Sequence, residues 1–286
     1  MWDLIGSVAS SSLIFVVFKL YSRFRVATFY AIIGNYFTAF LVGILFFPRS
    51  VPLAQLPAKP WFLPAVSLGL LFILIFNLMA RTSQQLGVSV ASVATKMSLV
   101  IPVIAGMVLY GEKLGAFRVF GIALALVAVY LASVKAHRVS WNPRLLYLPG
   151  LVFLGSGIID TSIKYLEENH IPDSEYPLFS ACVFGAAGTT GAVITLFRTP
   201  QALFAWRPKN LLGGVALGIP NFFSVFFLLR ALQFPGLNSA SIFTLNNVGI
   251  VLLTTLLGIA LFEEKLAARN WLGVILAVVS IAIISL

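Results

Sequence analysis

Lys96 is the residue whose type and position most demand an explanation. It lies about eight residues inside an apolar run at roughly 88–110, so ~12 Å along a helix from its end. A lysine near the middle of a bilayer costs ~2.5–3.5 kcal/mol on insertion scales, and a partner, a water-filled cavity or a ligand usually offsets that cost. One reading is a positive post for an anionic or carboxylate-bearing molecule. The plainer reading is a lysine that snorkels or is paired within the fold. Asp160 is the carboxylate set well inside another apolar run, and Lys164 follows it four residues later on the same helix face. The two residues could form an internal ion pair. Asp160 could instead exchange a proton, with Lys164 beside it as a coupling partner, or balance Lys96 when the site is empty.

Amides complete the candidate constellation. Asn246 and Asn247 stand inside an apolar run at 237–261, and Asn77, Asn221, Asn35 and Tyr36 inside three others. A buried amide both donates and accepts hydrogen bonds, so it can read a polar ligand. It can equally tie two helices together, for under ~2 kcal/mol. Pro102, Pro149 and Pro220 also fall within apolar runs. Each would free a carbonyl and permit a bend, which makes them candidate hinges or static kinks.

Enzyme chemistry has little to work with. The two histidines, His137 and His170, fall in expected loops, which leaves no HExxH motif and no intramembrane Ser–His pair. Gly155–Ser156–Gly157 lacks the third glycine of a dinucleotide fingerprint, and no P-loop is present. Cys182 is the single cysteine, so neither an intrachain disulfide nor a CxxC metal site can form. Glu263–Glu264 sits beside Lys265 and reads as a structural ion pair. No catalytic residue, metal site or cofactor is implied.

The elements that must position these residues follow from composition. The chain has 286 residues, 60% hydrophobic and 10% charged, with mean hydropathy +1.01. Soluble domains carry about 25% charged residues. This is the composition of an integral membrane protein, with no length left for a soluble catalytic or nucleotide-binding domain. The net charge is +10, but the basic residues are scattered between apolar runs. That is the pattern of membrane loops, and it argues against nucleic acid as a partner. Met1–Trp2–Asp3 lacks the positive charge of a signal peptide, so the first apolar run is expected to be a retained span.

Ten spans are expected, at roughly 3–20, 28–47, 61–80, 88–110, 115–134, 145–166, 176–197, 210–232, 237–261 and 267–286. Their hydrophobicity is nearly all-round, which argues for helices over the alternating strands of a barrel. Breaker residues fill the connectors, as in Pro48–Arg49–Ser50–Val51–Pro52 and Trp141–Asn142–Pro143–Arg144. Trp61, Trp141, Trp206 and Trp271 stand at span edges. Ala65 with Gly69, Gly214 with Gly218, and the small residues of 185–191 read as close helix contacts.

The chain repeats itself. Gly111–Glu112–Lys113–Leu114 precedes the fifth span and Glu263–Glu264–Lys265–Leu266 the tenth. The same 152-residue shift pairs Ala116 with Ala268, Gly121 with Gly273 and Ala125 with Ala277. A shift of 149 pairs Arg81 with Arg230, Gln84 with Gln233, Gly87 with Gly236 and Thr95 with Thr244. The halves are therefore 1–139 and 140–286, five spans each. Five is odd, so the second half must enter the membrane in the opposite sense. Inverted repeats facing one another across an in-plane axis, with a site near the midplane, are characteristic of secondary transporters.

This layout, with its Gly-Glu-Lys-Leu and Glu-Glu-Lys-Leu motifs before Gly-centred last spans, resembles the drug/metabolite transporter superfamily, specifically its EamA-type ten-helix members. The resemblance covers the whole chain. It implies an all-α membrane fold of two inverted five-helix repeats, and a carrier of a small polar or amphipathic solute across a bacterial inner membrane. Export by secondary active transport or exchange, through alternating access, is the implied mode. A flippase for a lipid or lipid-linked substrate is the alternative; a channel would need a continuous polar stripe that is missing here. Since both repeats lie in one chain, a monomer can function, with the bilayer and a small molecule as its partners. Orientation has two answers. The odd-numbered loops hold 12 Lys/Arg against 6 in the even-numbered loops, which puts the odd loops in the cytoplasm and both termini outside. The resemblance implies both termini inside.

Overall fold

The computed structural model describes residues 1–46, 53–86, 88–109, 111, 115–133, 145, 147–198, 208–263 and 267–285, with backbone alone at 22, 53, 80, 83–86, 88–92, 133, 198 and 285. The segments 48–52, 112–114, 141–144 and 264–266 lie outside these, as do Gly87, His137 and Trp206.

Among the described residues the chain is helical and free of strands. The helices are α1 (Trp2–Arg23), α2 (Thr28–Leu45), α3 (Phe62–Leu86), α4 (Val88–Met97), α5 (Val100–Leu109), α6 (Ala116–Ser133), α7 (Tyr147–Asn169), α8 (Tyr176–Arg198), α9 (Pro208–Leu232), α10 (Ser239–Phe262) and α11 (Ala268–Ser285). Six of them, α1, α2, α3, α8, α9 and α10, are long and apolar enough to cross a membrane by length and composition. Shorter apolar stretches cover Val93–Leu109, α6 and α11. α7 is long enough, but it carries Asp160, Lys164, Glu167 and Glu168. With α4 and α5 counted as one crossing, the ten expected spans are accounted for.

The fourth span differs from its expectation as an unbroken run. A turn at Ser98–Leu99 divides it into α4 and α5. Pro102 supplies the cause. It has no N–H to return to the carbonyl of Ser98, and its ring excludes that carbonyl from helical geometry. Ile101 N–H donates to Ser98 O over 2.9 Å instead, and the Ser98 hydroxyl donates to Thr95 O at 2.6 Å. The other two prolines have less effect. Pro149 lies in the first turn of α7, where no intrahelical bond is lost. Pro220 stands inside α9, which continues through it.

Most of the packing runs between the halves. α1 lies on α9 and α10, α2 on α8 and α9, α3 on α7 and α8, α4 and α5 on α7, and α6 along α11. Close approach makes these contacts possible. A Cβ built on Gly218 would lie 2.5 Å from the Thr38 Cβ and 2.6 Å from the Asn35 carbonyl, and one on Gly214 would lie 2.9 Å from the backbone of Gly34. The expected Gly214–Gly218 stripe is thus the seat of α2 on α9. Gly69 plays the same part for α3 on α8.

The repeat extends to backbone conformation. Gly111 and Glu263, paired by the 152-residue shift, both adopt the left-handed region, with φ of 62° and 53°. Glu263 ends α10 with its N–H on Ile259 O at 3.0 Å. A left-handed residue with a Cβ costs ~1–2 kcal/mol.

Two stability predictions follow from these positions. Gly218→Val should lower the unfolding midpoint in detergent by an overpacking cost of ~1–3 kcal/mol, whereas Gly150→Ala, with nothing within 4 Å of the added carbon, should not. Glu263→Gly should raise that midpoint, by ~1 kcal/mol of relieved strain; thermal unfolding by circular dichroism reads both.

Candidate functional site

Lys96 is in the last turn of α4, immediately before the break. That position suits a cation, because carbonyls at a helix end carry partial negative charge. The side chain is buried, 8% exposed, within the protein. Its Nζ donates to Asn247 Oδ1 on α10 at 3.2 Å and lies 5.5 Å from the centre of the Phe15 ring on α1. Three helices thus meet at one ammonium. Asn247 is fixed in turn, because its Nδ2 donates to Phe243 O at 3.1 Å. Lys96 makes no ion pair among the described residues.

Asp160 is half-buried on α7 and acts electrostatically on Lys96. It forms no hydrogen bond or ion pair with any described residue. The ion pair considered between Asp160 and Lys164 is not formed. Lys164 binds Glu167 at 3.0 Å and Glu168 at 2.6 Å, towards the end of α7. Glu167 also accepts from the Tyr176 hydroxyl at 3.2 Å. Lys164 therefore belongs to a polar knot at one face of the bundle, and Asp160 to the centre.

Several buried polar side-chain atoms lack a partner among the described residues, Ser180 Oγ, Ser241 Oγ and His170 Nδ1 among them. Asn246 Oδ1, the Tyr36 hydroxyl, Ser12 Oγ and Thr161 Oγ1 are buried and accept or donate no hydrogen bond. They come from α10, α2, α1 and α7. Each such group costs ~1–3 kcal/mol if nothing satisfies it, so the centre of the bundle is prepared for polar company. Ser12 and Phe15 lie on the α1 stripe facing α10, since Val8 borders Gly249 and Lys19 stacks 4.0 Å over the Phe262 ring. Beside them is an aromatic wall. Tyr36 packs edge-on to Phe76 and stacks on Phe184, and Phe76 also meets Phe18.

The other amides named from sequence serve the scaffold. Asn221 Nδ2 donates to Asn35 Oδ1 at 3.0 Å and so ties α9 to α2. Asn77 Nδ2 donates to Ile73 O in its own helix at 2.8 Å. Sequence reading missed Phe15, Ser12 and Thr161. A single phenylalanine among 25 and hydroxyls that can bond their own helix carry no signal until the helices are packed.

Neither cleft at the bundle surface contains Lys96. One of about 580 Å³ is lined by Asp3, Asp173, Arg230 and Gln233 among others, and one of about 490 Å³ by Lys164, Glu167, Glu168, Gln233 and Ser239 among others. The Lys96 site is closed to both.

A ten-span bundle with a broken helix, and a buried cation at the break, is the architecture against which known proteins can be compared. Residues 2–134 match the EamA-like transporter family. The resemblance drawn from the sequence agrees with this match over those residues, and the long apolar helices are those of a multi-pass membrane protein. A Haemophilus influenzae protein described as uncharacterized is 26% identical over 290 residues, covering 98% of this chain and 96% of its own length. A solved structure, described as the crystal structure of a protein, shares 15% identity with a TM-score of 0.75, covering 99% of this chain and 94% of that one. At that identity the likeness speaks to the fold alone.

Cutting the Lys96–Asn247 contact has a predictable cost. Asn247→Leu should destabilise the protein by ~1.5–3 kcal/mol, because it leaves a buried ammonium without its acceptor. Adding Lys96→Met should recover most of that loss. A double-mutant cycle on thermal unfolding in detergent measures the coupling, and additive losses would remove the contact from the account.

Proposed function

We propose that this chain is a secondary active or exchange transporter that moves a small polar or amphipathic organic solute across the cytoplasmic membrane by alternating access. The observation that carries the reading is the buried Lys96, held by a neutral amide of the facing helix at the break of a discontinuous span. Discontinuous helices near the midplane are where transporters place their substrates. A neutral amide satisfies one of the three donors of an ammonium, which leaves donors for a carboxylate or another acceptor on the solute. Asn246, with its buried free carbonyl oxygen, supplies an acceptor for a donor on the same solute.

The pattern of helix contacts supports alternating access. If α1, α2, α3, α4/α5 and α6 correspond to α7, α8, α9, α10 and α11, the most extensive contacts between halves exchange in pairs, while α6 on α10 has no matching contact of comparable extent. α1 on α9 answers α3 on α7. α2 on α9 answers α3 on α8, and α1 on α10 answers α4 and α5 on α7. α2 on α8 and α6 on α11 answer themselves. This is the pattern an in-plane pseudo-twofold axis would give, and a bundle so built can favour opening to either face around a fixed centre. Asp160 serves as the counter-charge that keeps the empty site neutral overall.

The test is counterflow in proteoliposomes loaded with a pooled metabolite extract and read by mass spectrometry. Saturable exchange of one solute class is expected. Lys96→Ala should reduce that exchange about 10–100-fold, the worth of a hydrogen bond to a charged group, with the folded yield unchanged. Normal exchange by that variant would remove Lys96 from the site. Movement of labelled lipid between leaflets, without solute exchange, would make the protein a flippase.

A further inference from the structure

The face of the bundle that holds the N-terminal end of α1 and the C-terminal end of α9 is tied together differently from the opposite face. Here several ties between elements are charged, beside the buried neutral bond from Ser7 Oγ on α1 to Ser224 O on α9 at 3.0 Å. Arg230 Nε on α9 meets Asp3 Oδ1 on α1 at 3.1 Å, with side chains 53% and 28% exposed. Gln233, just past α9, donates from Nε2 to Asp173 Oδ1 in the α7–α8 connection at 2.6 Å. Lys59 meets Glu175 at 2.5 Å. On the opposite face several ties are neutral and run to backbone. Tyr21 donates to Gly213 O at 2.7 Å, Ala27 N–H to Asn210 Oδ1 at 3.0 Å, and Asn270 Nδ2 to the Leu131 and Ala132 carbonyls at 2.9 and 3.2 Å. Exposed charged ties exchange readily with water and salt, whereas buried backbone ties do not.

Gln233 has a further distinction. The two clefts on the charged face, about 580 and 490 Å³, share it as a lining residue and share no other. Its side chain borders both, and its bond to Asp173 fixes it there. The turn that carries it is itself firm, with Phe234 N–H on Ala231 O at 3.0 Å and Asn238 capping Ser241 N–H at 3.0 Å. A turn so fixed to α9 and α10 would follow both helices as a unit if its outward tie to Asp173 were released.

We infer that Gln233 and Arg230 form the latch of a gate on this face: while Gln233 holds Asp173 and Arg230 holds Asp3, the α9–α10 hairpin stays down and the two clefts stay separate. Release of both ties joins the clefts into one vestibule above the centre of the bundle. The repeat places Arg81 and Gln84 at the corresponding turn of the other half, on the opposite face. No counterpart of Asp3 or Asp173 accompanies them: the 145-residue shift that pairs Lys19 with Lys164 puts Leu148 opposite Asp3 and Thr28 opposite Asp173. Among the described residues, the ion pair and the Gln233–Asp173 bond stand on one face.

The test does not require the substrate, so it can fail independently of the transport reading. Cys182 is replaced by Ala, Ser239 in the second cleft is replaced by Cys, and a hydrophilic maleimide labels the protein in nanodiscs, where both faces are accessible. Gln233→Ala should raise the labelling rate about fivefold or more, and Gln233→Lys, which can pair with Asp173, should hold it near the parent rate. High salt should speed labelling of the parent and have little effect on Gln233→Ala. If Gln233→Ala fails to fold, Asp173→Ala cuts the same bond from the exposed connection and should raise the rate equally. An unchanged rate, or an equal rise with Ala and Lys at position 233, would overturn the latch.

Discussion

A single ammonium in the middle of an apolar bundle sets the terms for the rest. Lys96 cannot be placed at that depth without an acceptor, and α10 brings one in Asn247. The acceptor is useful only if α4 ends there, because the terminal carbonyls of a helix add their own negative field. Pro102 ends it. Three sequence features that look independent, a lysine, a proline and an asparagine 151 residues away, are thus one device. The aromatic ring of Phe15 closes its remaining side.

Around that device the helices must come close without help from water. Lipid is as apolar as the side chains, so burial gives little drive to helix association and packing must supply it. The glycines of α9 and α3 meet that need by letting backbones touch α2 and α8. The Asn35–Asn221 pair adds direction to the α2–α9 contact. These amides, candidates for the site by composition, are bonded to one another across the two helices.

What the sequence made legible follows from the range of the forces involved. Span positions came through closely, because hydrophobicity and breaker residues act locally. The depth of Lys96 came through for the same reason, since the apolar run around it is read locally. Lys164 was harder to read. Its sequence offers a carboxylate four residues before it, and two at three and four residues after it, all within reach on a helix. Depth decides among them. Glu167 and Glu168 stand near the helix end, where a paired lysine is less costly, and Asp160 stands towards the middle. The division of the fourth span was foreshadowed by Pro102 but not located, since a proline can kink, cap or break a helix. The Asn35–Asn221 contact, 186 residues apart, has no local trace at all.

The interleaving of the two halves bears on how the chain comes to be made. Within the first half, α3 touches α4 and α4 touches α6, but α1 and α2 find their extensive partners in α8, α9 and α10. α6 waits for α11, which begins about 135 residues later in the chain. At ribosomal speeds of ~5–20 residues per second that is on the order of ten seconds. During that interval α1, α2 and α6 stand in the lipid with glycine-lined and polar faces uncovered, and Lys96 lacks its amide. Neither half makes its most extensive contacts within itself, so neither is a unit of folding. Membrane insertion of this chain must keep five helices from wrong partners until the last five arrive.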